Sequence, residues 1–278
     1  MNLQVIHTGN FKLDGGAMFG VVPKVIWQKI NPADSNNLCT WSMRCLLVET
    51  GSRLILIDCG IGDKQSEKFF NHYYLHGDHT LEGSIQAAGY STDEVTDVFL
   101  THLHFDHCGG ALKNGDNGVV KSTFKNARYW SNRDHWQWAI APNGREKASF
   151  LKENIIPIEE SGQLNWVDID NTNWDLFEII TVDGHTEKQM LPKIQYKGQT
   201  LIFIADLLPS IGHLPLPYVM SYDVRPLVTL KEKAAFLQKA ADEEYILFFE
   251  HDPEVECCTL KHTEKGVSVD RIFKLKEI

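Results

Sequence analysis

The segment THLHFDH, Thr101 to His107, sets His102, His104, Asp106 and His107 inside six residues. Three imidazoles this close repel one another when protonated, and their polar rims gain little from apolar neighbours. A cation reverses that balance, because neutral imidazole nitrogens and carboxylates are good ligands for divalent metals. Side chains two apart on an extended segment share a side, so His102 and His104 can face one point. Asp106 and His107 lie past a turn and can face a second. Two ions roughly 3.5–4 Å apart, with a water or hydroxide between them, would use all of these ligands for hydrolysis.

Side chains so placed need rigid supports, and the apolar patterning supplies them. Four apolar runs end on or beside a metal-competent residue: DVFLTH at His102, DLFEIITVDGH at His185, KIQYKGQTLIFIAD at Asp206, and EYILFFEHD at His251. Such short β-branched and aliphatic runs read as buried strands. Strand ends along one sheet edge are where distant segments converge on a site. A hairpin is expected at Gly51-Ser52, between SMRCLLVET and RLILIDCG, and a second turn at Lys197-Gly198. Leu230, Ala234, Leu237 and Ala241 mark one face of a helix in TLKEKAAFLQKAADEE, and RDHWQWA and REKASFLKEN are weaker helical segments. No repeat or linker divides the chain, so residues 1–278 are expected to form a single layered α/β hydrolase domain.

Taken in order, His102, His104, Asp106, His107, His185, Asp206 and His251 resemble the signature of the metallo-β-lactamase fold superfamily. The likeness runs from LLVETGSRLILIDCGIG to His251. It implies a four-layer αβ/βα sandwich and two divalent metal ions per chain. Zinc is the expected metal, with Mn, Fe and Co compatible with the same donors. By this resemblance His102, His104 and His185 hold the first ion, while Asp106, His107 and His251 hold the second. Asp206 bridges them, a hydroxide between the ions attacks, and Asp106 handles the proton passing to the leaving group. No Ser or Cys nucleophile is required, and Cys108 is expected to pack.

Departures from relatives narrow the branch. His stands at 104, where redox-active diiron relatives carry Glu, and Asp stands at 206, where antibiotic-hydrolysing relatives often carry Cys. The 27 residues after His251 are fewer than glyoxalase II relatives use to grip glutathione. What remains resembles the N-acyl homoserine lactonase and organophosphate hydrolase branch. The expected activity is opening of a lactone of the acyl homoserine type, a quorum-quenching reaction, or cleavage of a related ester. A phosphotriesterase or arylesterase is the alternative, with a redox diiron or a non-catalytic metal-binding protein behind it.

The stretch FKLDGGAMFGVVPKVIW resembles the opening of that branch. Gly15 and Gly16 are expected to turn and Ala17 to Val22 to form a strand, with Met18, Phe19 and Trp27 as candidates to line a substrate mouth. Well-known lactonases of the branch place a Tyr three residues after the bridging Asp, and this chain has Pro209. His213, Tyr218 and Tyr222 are the candidates to supply the missing donor.

Composition limits the partners. A net charge of -10 argues against a nucleic-acid or anionic-membrane surface. No apolar run nears the roughly 20 residues needed to cross a bilayer. The opening MNLQVIHTGNF has neither the basic nor the apolar region of a secretory signal. Cys39, Cys45, Cys59, Cys108, Cys257 and Cys258 form no CxxC pair, so reduced thiols and a cytoplasmic location are expected. A small-molecule ester or lactone is then the expected partner, with no nucleic acid and no membrane. A homodimer is compatible with Trp130, Trp136 and Trp138, which are expected in the core or at a dimer contact. His72, His76, Asp78 and His79 in NHYYLHGDH mimic a metal motif but are expected at a solvated surface or pocket rim; His72 and His76 are spaced to share a helix face.

Overall fold

A computed structural model describes the chain at every residue except 116, 117, 172 and 175. Two units interleave along the sequence: Met1–Gly9 with Met43–Asn171, and Asn10–Ser42 with Thr172–Ile278.

The first unit takes in, in part or whole, β1 (Asn2–Asp14), β2 (Leu38–Thr50), β3 (Arg53–Ile57), β4 (Asp97–Phe99), β5 (Leu112–Asn114), β6 (Val120–Ser122), β7 (Arg128–Ser131) and β8 (Leu164–Trp166). Strands β5 and β6 pair alone, and the others form one sheet of order β1-β2-β3-β4-β7-β8. The expected hairpin closes β2 on β3, with Thr50 opposite Arg53. From β3 onward the sheet is parallel, and Ile57, Phe99 and Trp130 lie in register. That register makes β3 and β4 end together, so Asp58 and the Leu100–His102 segment leave the sheet at one edge. Helices Leu81–Ala87, Arg133–Ile140 and Lys152–Glu160 accompany the sheet. Its core packs Ile85, Leu56, Val98, Tyr129, Trp136 and Ile155, all buried.

The second unit carries β9 (Asn173–Trp174), β10 (Phe177–Val182), β11 (Gln189–Tyr196), β12 (Gln199–Phe203), β13 (Ile246–Phe248), β14 (Cys257–Thr263) and β15 (Gly266–Phe273). They run in the order β15-β14-β13-β12-β11-β10-β9. β12 and β13 are parallel, with Phe203 opposite Phe248. β10 reaches β12 through two antiparallel pairings and so points the same way. Val182, Phe203 and Phe248 therefore end at one edge, and each is followed within three residues by His185, Asp206 or His251.

Two local expectations are corrected. Gly15–Phe19 is a short helix rather than the start of a strand, because the Asp14 carboxylate accepts the Ala17 N–H at 2.9 Å and caps it. Gly15 lies so close to Trp27 that an added Cβ would fall 2.3 Å from the indole. The long helix, Pro226–Asp242, buries Thr229, Lys233, Phe236, Leu237, Ala240 and Ala241, while Leu230 and Ala234 flank that face half-buried. A buried lysine rotates the face away from its apolar periodicity, because its stem packs while its ammonium reaches backbone carbonyls. Among the described residues no helix is long and apolar enough to cross a membrane.

Candidate metal centre

In the first unit, the segment leaving β4 brings His102 Nε2 and His104 Nδ1 to 3.1 Å from each other. His102 is anchored through its other nitrogen. His102 Nδ1 lies 3.1 Å from Thr101 Oγ1, whose hydroxyl donates to Asp58 Oδ2 at 2.6 Å. That hydroxyl can only accept from the imidazole, so His102 carries its proton on Nδ1 and presents the Nε2 lone pair. His107 Nδ1 faces the same Asp58 oxygen at 3.1 Å, which leaves its Nε2 for a ligand, 3.8 Å from Asp106 Oδ2. His104 Nε2 faces Glu146 Oε1 at 3.5 Å, leaving Nδ1. The Leu103 N–H donates to His135 Nε2 at 2.8 Å and fixes the backbone between the first two histidines.

Backbone geometry at this edge is constrained. Asp58 sits in the left-handed region at φ 56°, which Asp tolerates better than most residues. The following loop lies flush against the helix Phe105–Cys108, with the Cys59 N–H donating to His107 O at 2.8 Å. A Cβ on Gly109 or Gly110 would fall 2.1 Å from the carbonyl of Ile61 or Cys59, so the glycine pair after the histidines is a packing requirement.

In the second unit Asp206 turns one carboxylate oxygen to each of two imidazoles. Oδ2 is 3.1 Å from His185 Nε2 and Oδ1 is 3.0 Å from His251 Nε2. His185 Nδ1 is held by Asp223 Oδ1 at 2.8 Å, and His251 Nδ1 by the Ser42 carbonyl at 2.8 Å. A carbonyl only accepts, so His251 also presents its Nε2 lone pair. Burial opposes protonation of His185, but the carboxylates of Asp206 and then Asp223 outweigh it and push the pKa up to about 10. Ala205, just before Asp206, takes a left-handed φ of 41°, a strained conformation of the kind that gathers at functional sites.

The donors therefore fit divalent metal. Four of the five histidines have one nitrogen hydrogen-bonded to a carboxylate, hydroxyl or carbonyl, His104 turns its Nε2 toward Glu146 at 3.5 Å, and each has its other nitrogen turned toward a second ligand candidate. Anchors of this kind are what set the tautomer and orientation of metal-binding imidazoles.

The family model of the metallo-beta-lactamase superfamily matches residues 44–251, three-quarters of the chain. The chain belongs to the metallo-β-lactamase superfamily. The match takes in His102 through His251, and the mixed α/β architecture is that of metallo-β-lactamase fold hydrolases. The N-acyl homoserine lactonase of Bacillus thuringiensis is 24% identical over 243 residues, covering 82% of this chain and 86% of that protein. A probable metal-dependent hydrolase from Staphylococcus aureus matches with a TM-score of 0.88 at 25% identity, covering 100% of this chain and 98% of that one. AidC, a dizinc quorum-quenching lactonase in complex with a product, matches with a TM-score of 0.77 at 24% identity, over 96% and 93% of the two chains. This metallo-β-lactamase superfamily member is a hydrolase.

The remaining candidate residues have different surroundings. Met18, Phe19 and Trp27 are buried, with the Phe19 ring stacked on Trp27 at 5.5 Å and on His213 at 4.6 Å. Both His213 nitrogens are engaged, by Met18 O and Ser210 Oγ at 2.9 Å each, and burial pulls its pKa down to about 3. Tyr218 is half-buried and edge-on to Phe19, and Tyr222 is exposed. His72, His76, Asp78 and His79 are all exposed; His72 and His76 follow the short helix Glu67–Phe70 and share no helix face. Trp136 is core, while Trp130 and Trp138 are half-buried and donate to Asp97 and Glu146. Cys108 is core too, its thiol pushed up to about 12 by burial.

Residue patterns missed the anchors Asp58, Thr101, Glu146, Asp223 and His135. Asp58 carried a usable signal, since LILID ends an apolar run on a carboxylate just as LIFIAD does. Glu146 and Asp223 lie in irregular segments with no local pattern. Tyr73 was missed as well: its ring lies 4.7 Å from that of Phe105, and burial together with the Asp106 charge pushes its hydroxyl up to about 12.

Proposed function

We propose that the two ligand sets act together, His102, His104, Asp106 and His107 from the first unit with His185, Asp206 and His251 from the second. In this reading the chain is one catalytic domain that holds two divalent ions, zinc in the first instance, and opens a lactone of the acyl homoserine type or cleaves a related ester. The observation that carries it is the anchoring of four of the five histidines through one nitrogen, with His104 Nε2 facing Glu146 and Asp206 offering a separate oxygen to each of two imidazoles. Similarity to lactonases supports the substrate class. Six buried, free cysteines support a reducing compartment such as the cytoplasm.

When bound, the ions supply Lewis acidity that activates water near neutral pH and polarises the electrophilic carbonyl. Asp58, Glu146 and Asp223 keep the imidazole lone pairs directed inward. Asp106 stands beside His107 Nε2, where its carboxylate can take a proton and return it to the departing alkoxide. Phe105 and Tyr73 offer an apolar wall next to Asp106 for an acyl or aryl group, and Tyr222 and Tyr218 are further substrate contacts. Pro209, where better-known lactonases of the branch carry a Tyr, favours the second reading, a phosphotriesterase or arylesterase on the same ligands.

A substrate panel separates the two. Zinc-loaded protein should turn over acyl homoserine lactones at least as well as aryl esters, and Asp206→Ala should abolish both activities. Strong preference for aryl phosphotriesters would overturn the lactonase reading and leave the hydrolase.

A further inference from the structure

The second unit holds a cavity of about 310 Å³ that none of the seven metal-ligand candidates lines. Its walls include Ile30, Asn31, Thr40, Asp252, Glu254 and Val255. Asn31 is only 8% exposed, yet among the described residues its carboxamide has no hydrogen-bond partner. With no protein partner and a place in the cavity wall, the carboxamide is free to hydrogen-bond a molecule in the cavity. Gly212 makes room for it; a Cβ there would lie 2.8 Å from Asn31 Oδ1.

Part of the wall is rigid and negative. The Asp252 carboxylate accepts from the backbone N–H groups of Ile211 at 3.0 Å, Glu254 at 2.9 Å and Val255 at 2.8 Å, which fixes the loop after His251. Glu254 is exposed at the rim and adds a second negative charge. Ile30 and Val255 supply apolar surface. The volume lies at the small end of ligand pockets.

We infer that this cavity is a binding site for a small neutral molecule carrying an amide group and a short apolar tail. The Asn31 carboxamide offers a donor and an acceptor that match an amide in both directions. The carboxylates of Asp252 and Glu254 select against anions, and Ile30 and Val255 hold the tail. The inference stands apart from the catalytic reading, since it uses none of the metal-ligand candidates.

The test is an NMR titration of the full chain with hexanamide and, separately, hexanoate at neutral pH. Hexanamide should saturate and shift the resonances of Ile30, Asn31 and Val255, with hexanoate about tenfold weaker or more because it carries the repelled charge. Asn31→Leu should weaken hexanamide about fivefold, the loss of one neutral hydrogen bond. Glu254→Lys alters an exposed side chain and should move the preference toward hexanoate, which keeps the test decisive if Asn31→Leu fails to fold. No saturable shift at these residues, equal binding of the two ligands, or an Asn31→Leu variant that binds hexanamide as the parent does would overturn the inference. An unchanged ligand preference in Glu254→Lys would do the same.

Discussion

Asp58 offers the sharpest test of how the proposed metal ligands are set, because one carboxylate directs two imidazoles. It accepts the Thr101 N–H at 2.8 Å on Oδ1, and the Thr101 hydroxyl at 2.6 Å with His107 Nδ1 at 3.1 Å on Oδ2. Asp58→Asn keeps the shape but turns one oxygen into a donor. The backbone N–H cannot reverse, so the amide NH2 takes the Oδ2 place. The Thr101 hydroxyl must then accept from Asn and donate to His102 Nδ1, and both His102 and His107 carry their protons on the nitrogens meant for metal. Restoring each ligand tautomer sets a donor against a donor, at about 1.5 kcal/mol apiece. Two imidazoles make about 3 kcal/mol, roughly a hundredfold in zinc affinity, measured by competition with a chromophoric chelator. The backbone is a built-in control: Asn adopts the left-handed region as readily as Asp, so the metal-free variant should melt near the parent. Zinc affinity within about threefold of the parent would refute the tautomer argument, since a loss of that size is ordinary for a simple packing change.

Other outcomes follow from single contacts. Lys233 is buried with Nζ donating to the carbonyls of Pro215 at 2.7 Å and Tyr218 at 2.9 Å, and burial pulls its pKa from 10.5 down to about 7. The unfolded chain binds the extra proton between those values, so this group makes stability rise with pH from about 7 to 10.5, by at most about 1.4 kcal/mol per unit. Lys233→Met should flatten that slope in urea melts across the window, and an unchanged slope would assign it elsewhere. Gly110→Ala would put a Cβ 2.1 Å from the Cys59 carbonyl and should cost about 2–3 kcal/mol in thermal unfolding; an unshifted melt would contradict the packing described. Treatment with chelator should abolish ester and lactone hydrolysis and lower the melting temperature, with zinc restoring both, and full activity without metal would remove the proposed mechanism.

The residue order alone singled out the metal-ligand candidates. HxHxDH is local, and the strands that deliver His185, Asp206 and His251 announce themselves as short apolar runs ending on a polar residue. The layered α/β class followed from the same runs, because strands buried in a sheet read as short continuous apolar segments, while the four-layer arrangement came only with the resemblance. Segments governed by one capping bond or one buried amine were not legible. Gly15–Phe19 became a helix through the Asp14 cap, and the long helix turned its face to bury Lys233.

Tertiary structure decided which nitrogen of each ring faces a ligand. His185 takes its orientation from Asp223, 38 residues away, and His251 from the Ser42 carbonyl, 209 residues away. A residue type supplies an imidazole. Its tautomer depends on the direction of a hydrogen bond, and that direction exists only once strands from distant parts of the chain lie side by side.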